Sequence, residues 1–186
     1  MAVESDKNLL RRIRDGDALA LKALYERHRV AIYRFALRLT RSEALAEDVV
    51  SEVFVDLWRN AAAFGGRSEA QTFLLAIARN KAYSHYRRHR EEKLDDEAAA
   101  VLEDLSDTPE TTLQKRSKSD VLRACLERLS TAHREVIDLV YYHDKSIGEV
   151  AEIVGAPVGT VKTRMFHARK RLAEFIADAG EDRGWP

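Results

Sequence analysis

Between residues 160 and 172 the sequence TVKTRMFHARKRL carries Lys162, Arg164, Arg169, Lys170 and Arg171 with no acidic residue among them. Thr160, Thr163, Phe166 and His167 are threaded between those cations. Cations neutralise phosphates, hydroxyls and imidazoles reach base edges, and an aromatic ring packs on a thymine methyl, so this mixture suits a DNA major groove. An ordinary solvated basic helix with Phe166 tucked against a neighbour is the competing reading.

Such side chains act together only if a helix holds them. Ser146 and Glu149 have the Ser-x-x-Glu spacing of a capping box, and Ile147, Val150, Ala151 and Val154 follow at helical spacing, so a first helix is expected there, ended by Gly155. Pro157 suits the start of a second helix, opening between Pro157 and Thr160 and running past Arg171. On that helix Val161, Met165, Ala168 and Leu172 share the side that faces a core, and Thr163, Phe166, His167 and Lys170 share the opposite one. The pair forms a helix-turn-helix.

Earlier in the chain, residues 9–15 read as a short helix, and Asp17 is a fitting N-cap for a longer one ending near Leu39. A third helix is expected from Thr40 or Ser42 to about Ala63, with Thr40 and Glu43 as its capping box. Phe64-Gly65-Gly66-Arg67-Ser68 breaks it, and a fourth runs from about Glu69 to about Arg90. Helices over about 113–129 and 131–142 precede the helix-turn-helix, and the end after Asp178 reads as frayed.

The third helix buries Ala46, Val50, Val53, Phe54 and Leu57, with Trp58 at the edge, and turns outward Asp48, Ser51, Glu52, Val55, Asp56 and Arg59. An acidic face around an outward valine suits protein docking, because apolar contact supplies affinity and charge orients the partner; a merely solvated face is the other reading. The fourth helix buries Leu74, Leu75, Ala78, Ala82 and Tyr86, leaving Arg79, Asn80, Tyr83, Arg87 and Arg90 outside. Arginines track phosphates, Asn80 can bond a base, and Tyr83 can either stack on an unpaired base or pack on the segment that follows. Gly65 and Gly66 allow the backbone to approach a ligand closely, as a flipped base would require.

The 186 residues contain three Pro, eight Gly and one Cys, with several 3.6-residue apolar periods and no alternating run, which makes the class all-α. Zero net charge hides a segregation: residues 67–90 hold six Lys or Arg against one acid, and residues 91–110 hold nine acids against Lys93. Two small helical domains joined by a flexible acidic linker are therefore expected, at 1–92, 93–115 and 116–180, the last with the helix-turn-helix. Cys125 lies in an apolar helical pattern and is read as a buried small hydrophobe. Neither a signal peptide nor an apolar run of membrane-spanning length is evident, so a cytoplasmic protein without membrane insertion is expected. His85 and His89 are four apart, but no third metal ligand accompanies them. With no nucleophile and base, no paired catalytic carboxylates and no phosphate loop, neither an enzyme nor a cofactor nor a metal is expected.

Assembled, these residues resemble the extracytoplasmic-function (ECF) RNA polymerase sigma factors of the sigma-70 superfamily, over about residues 9–175. Residues 46–58, AEDVVSEVFVDLW, are similar to the family's core-polymerase-binding helix; residues 73–82, FLLAIARNKA, with Arg87 and Arg88, resemble its −10 helix; and residues 129–142 and 158–164 resemble its −35 domain. The resemblance implies core-polymerase contacts from Asp48, Ser51, Glu52, Val55, Asp56 and Trp58 to the β′ clamp coiled coil, with the β subunit as a further partner. It implies −10 contacts from Gly65, Arg67, Arg79, Asn80, Tyr83, Arg87 and Arg88, and −35 contacts from Thr160, Lys162, Thr163, Arg164, Phe166, His167 and Lys170. Promoter DNA and an anti-sigma factor are the other implied partners. Phe73 stands where the family usually has Trp, Ser51 where Gln is common, Ser130 where Pro is common, and His167 where Arg is frequent. A stand-alone helix-turn-helix regulator and a pure protein-interaction module are the alternatives; the first leaves three quarters of the chain unexplained, and the basic face opposes the second.

Overall fold

A computed structural model describes residues 4–61, 68–95 and 118–179, with side chains except at 89–95 and 118. Among the described residues all regular structure is α-helical, as expected: α1 (Asp6–Arg14), α2 (Ala18–Thr40), α3 (Glu43–Arg59), α4 (Ala70–Asp95), α5 (Lys118–Glu127), α6 (Thr131–Tyr141), α7 (Ile147–Val154) and α8 (Val158–Asp178). The chain divides into two compact units, residues 1–97 with 148–156 and residues 98–147 with 157–186. From Gly148 onward α7 lies in the first unit, and α8 lies in the second.

In the first unit, α1 to α4 bury a shared apolar core. Leu9, Leu10 and Ile13 come from α1, Leu24, Ile32 and Phe35 from α2, Val49, Val53 and Leu57 from α3, and Leu74, Leu75 and Ala78 from α4. Each of the larger aliphatic or aromatic side chains contributes about 1.5–3 kcal/mol by leaving water. Tyr25 meets Phe54 edge-on at 4.9 Å, tying α2 to α3. Asp17 caps α2 as expected, accepting from the Leu19 and Ala20 N–H groups at 2.9 and 3.2 Å. Arg12 donates to the same carboxylate at 2.7 and 2.9 Å, and this hydrogen bond, with the two backbone donors, holds Asp17 below the usual carboxylate range. His28, almost fully buried, meets Asp6 at 2.7 Å and fastens α1 to α2.

Several expected boundaries shift. Thr40 does not cap α3: it ends α2, and its hydroxyl donates to the Ala36 carbonyl at 2.9 Å. Ser42 is the cap, accepting from the Leu45 N–H at 3.3 Å, after a left-handed turn at Arg41. α3 stops at Arg59 rather than near Ala63, and α4 continues to Asp95 because Glu91, Glu92, Lys93 and Leu94 are good helix formers. Tyr86 is 60 % exposed and not part of the core, whereas Val49, unassigned by the periodicity argument, is fully buried. Residues 62–67, the linker from 96 onward, the start of the helix expected from 113 and the end after Ala179 lie outside the described residues.

In the second unit α5, α6 and α8 enclose Cys125, Leu129, Val136, Leu139, Val161, Met165 and Ala168. Cys125 is thus buried as expected. Ser130 caps α6, accepting from the His133 N–H at 3.4 Å.

Candidate nucleic-acid and docking interfaces

Helix α8 is set up by its local sequence. Gly155 ends α7 at φ +63°, a left-handed conformation that favours glycine although a Cβ would meet nothing there. The Ala156 N–H donates to the Ala151 carbonyl at 3.1 Å, Pro157 occupies the N-cap of α8, and its carbonyl accepts from the Val161 N–H at 3.1 Å. Val161, Met165 and Ala168 are buried, as the periodicity predicts, with Leu172 half-buried at the edge.

The other side of α8 is open. Thr160, Lys162, Thr163, Phe166, His167, Arg169, Lys170 and Arg171 are exposed, and Arg164 is half-buried. The Arg169 guanidinium lies 5.8 Å from the Tyr141 ring centroid. Phe166 is 65 % exposed rather than tucked against a neighbour, and its ring meets His167 edge-on at 5.4 Å. The Thr163 hydroxyl donates to the Gly159 carbonyl at 3.0 Å, which leaves its oxygen lone pairs to accept from outside. The ion pair on this face is a loose one, Arg171 with Glu174 at 4.0 Å. α6 adds a residue that the sequence reading missed: the His133 ring lies 6.5 Å from His167. Burial, followed by the positive charges of His167, Arg171 and Arg164, pushes the His133 imidazole below its ordinary value. Only packing brings α6 beside α8, so no local pattern marks His133.

On α3, Asp48, Ser51, Val55 and Trp58 are exposed, with Val55 at 46 % and Trp58 at 41 %. Glu52 and Asp56 are half-buried and turn toward α4. Lys81 Nζ lies 2.7 Å from Asp56 and 3.8 Å from Glu52, and His85 Nε2 lies 2.9 Å from Glu52. The periodicity placed Asp48, Ser51, Glu52, Val55, Asp56 and Arg59 outward with Trp58 at the edge of the buried side; Glu52 and Asp56 also bind α4 to α3. His85 is engaged in the same contact, while the side chain of His89 lies outside those described. Among the described residues no group of three His, Cys, Asp or Glu could hold a metal.

On α4, Asn80, Arg87 and Arg88 are exposed and Arg79 and Tyr83 half-buried, with the Arg79 guanidinium 4.5 Å over the Tyr83 ring. The stack presents a cation and a ring together, the combination that suits a phosphate and its base. Gly65 and Arg67 lie outside the described residues, as does the side chain of Arg90.

Comparison with known proteins agrees with this arrangement. Residues 24–92 match the model of sigma-70 region 2, and residues 119–172 match that of sigma-70 region 4. The first match accounts for the part of the chain that a stand-alone regulator leaves unexplained. The chain is 32 % identical to the ECF RNA polymerase sigma factor SigL of Mycobacterium tuberculosis over 177 residues, covering 90 % of this chain and 94 % of that one. Among solved structures, the sigma factor RpoE of Bartonella quintana, in complex with the anti-sigma factor NepR, superposes with a TM-score of 0.67 at 28 % identity, covering 84 % of this chain and 96 % of that one. CnrH, in complex with the cytosolic domain of CnrY, gives 0.68 at 25 % identity, covering 94 % and 99 %. Helical architecture, the acid-free basic stretch of α8 and these relatives converge: the chain belongs to the ECF family of RNA polymerase sigma factors.

Proposed function

We propose that this sigma factor divides promoter recognition between two surfaces of its own chain and catalyses no reaction itself. Asp48, Ser51, Val55 and Trp58, with Glu52 and Asp56 at the margin, dock on the β′ clamp coiled coil of core RNA polymerase, and the β subunit supplies further contacts. Arg79, Asn80, Tyr83, Arg87 and Arg88, with Gly65 and Arg67 from the preceding loop, engage the −10 element as its strands separate. Thr160, Lys162, Thr163, Arg164, Phe166, His167 and Lys170 read the −35 element.

The domains are those bounded by residues 1–92 and 116–180, and the acidic segment 93–115 sets the distance between the two DNA elements. An anti-sigma factor holds the protein inactive, as the complexes of related sigma factors suggest. No described helix is long and apolar enough to cross a membrane, and the proposed site of action is the cytoplasm.

The observation that carries this reading is the face of α8: exposed cations, hydroxyls and an aromatic ring without an acid between residues 160 and 172. The test is co-purification of the tagged protein with core polymerase, followed by run-off transcription from a genomic promoter library. Stoichiometric association and new start sites sharing −35 and −10 elements are expected. Tight DNA binding without polymerase, and no new start sites, would overturn it.

A further inference from the structure

His133 lies in the first turn of α6, half-buried, with its ring tilted 31° to that of His167 at 6.5 Å. From α8 it is faced by His167, Arg171 and Arg164. Next to it in α6, Arg134 donates to the Glu127 carbonyl at 3.4 Å, and Arg128, just after α5, lies 4.0 Å over the Phe175 ring. Glu174, at 4.0 Å from Arg171, is the carboxylate paired on the α8 side. The charges that act on the His133 ring, those of His167, Arg171 and Arg164, are thus all positive, a balance that an incoming phosphate would reverse.

We propose that His133 joins the promoter-facing surface of α8 as a proton-linked phosphate contact, so that binding of −35 DNA adds a proton to His133. The inference rests on the proposed function, in which α8 faces the −35 element. The proton comes from solvent and forms an N–H bond on an imidazole nitrogen; no other bond changes. In the free protein, burial and the neighbouring cations hold the His133 imidazole below its ordinary value. A phosphate raises it, so between the free and bound values the complex carries one proton more than its separate parts. Affinity then rises as pH falls through the bound value and levels off below the free one.

The test uses the full chain reconstituted with core polymerase and a duplex recovered by selecting random-sequence DNA on that holoenzyme. Anisotropy titrations at about pH 6 and about pH 8 should give roughly three- to tenfold tighter binding at the lower pH, within the limit of about tenfold per pH unit for one proton. His133→Gln keeps an N–H donor but cannot take a charge, and should flatten this slope relative to wild type. Equal slopes for variant and wild type would overturn the inference alone. A holoenzyme that selects no duplex would overturn the proposed function and the inference with it.

Discussion

Two basic helices in this chain dispose their charges in opposite ways. On α4, Lys81 and His85 turn inward to Asp56 and Glu52 of α3, so these side chains hold the first unit together. On α8 the cations turn outward, and the pair they make among the described residues is the loose contact of Arg171 with Glu174. Basic side chains of similar chemistry therefore do different work, and the difference is whether a neighbouring helix supplies a carboxylate. Lys81 and His85 of α4 thus serve cohesion with α3, while Lys162, Arg169, Lys170 and Arg171 of α8 stay exposed to solvent.

Charge reversal separates the two cases. Lys162→Glu with Lys170→Glu should weaken holoenzyme binding to a −35 duplex by about 10²-fold or more, at about 1–3 kcal/mol for each lost contact, and should leave thermal stability nearly unchanged. Loss of stability in place of loss of affinity, in paired anisotropy and melting curves, would break the comparison. Glu52→Lys should do the reverse, placing a new cation against Lys81 and the His85 ring and lowering stability by about 1–3 kcal/mol in urea unfolding. An unchanged unfolding midpoint would mean that the α3–α4 pairs contribute little.

Val55→Asp changes an exposed side chain on α3 and should keep stability within about 0.5 kcal/mol while weakening core-polymerase binding roughly tenfold. Equal affinity in a titration would remove Val55 from the docking surface. The smallest effect concerns His133, whose folded-state value is lowered, so that the unfolded chain takes up its proton first. Its contribution to stability is therefore complete above the ordinary histidine range and declines as pH falls below it. His133→Gln should narrow the stability difference between about pH 7 and about pH 5 by a few tenths of a kcal/mol, measured by thermal unfolding; an unchanged difference would contradict the sign.

Much of this was legible along the chain because helical periodicity fixes faces. Val161, Met165 and Ala168 are buried and Phe166 and His167 exposed, as their spacing requires. Asp17 was readable as a cap because its position before an apolar period is local information. Thr40 was not, because Thr40 and Ser42 both precede the helix and only the backbone turn at Arg41 decides between them. Periodicity also cannot say which neighbour a polar residue meets. Glu52 and Asp56 sit on the side of α3 opposite part of its core, yet α4 reaches them with Lys81 and His85. The proximity of His133 to His167 depends on how α6 packs on α8, which no local spacing encodes.

One measurement separates the strand-opening role proposed for α4 from the duplex-reading role proposed for α8. Open-complex formation would be compared on a fully duplex promoter and on the same promoter with a premelted −10 bubble, for Arg79→Ala with Tyr83→Ala and for Lys162→Glu with Lys170→Glu. The bubble should restore the α4 variant and fail to restore the α8 variant. Equal rescue of both, or unimpaired opening of duplex DNA by the α4 variant, would contradict this division of roles.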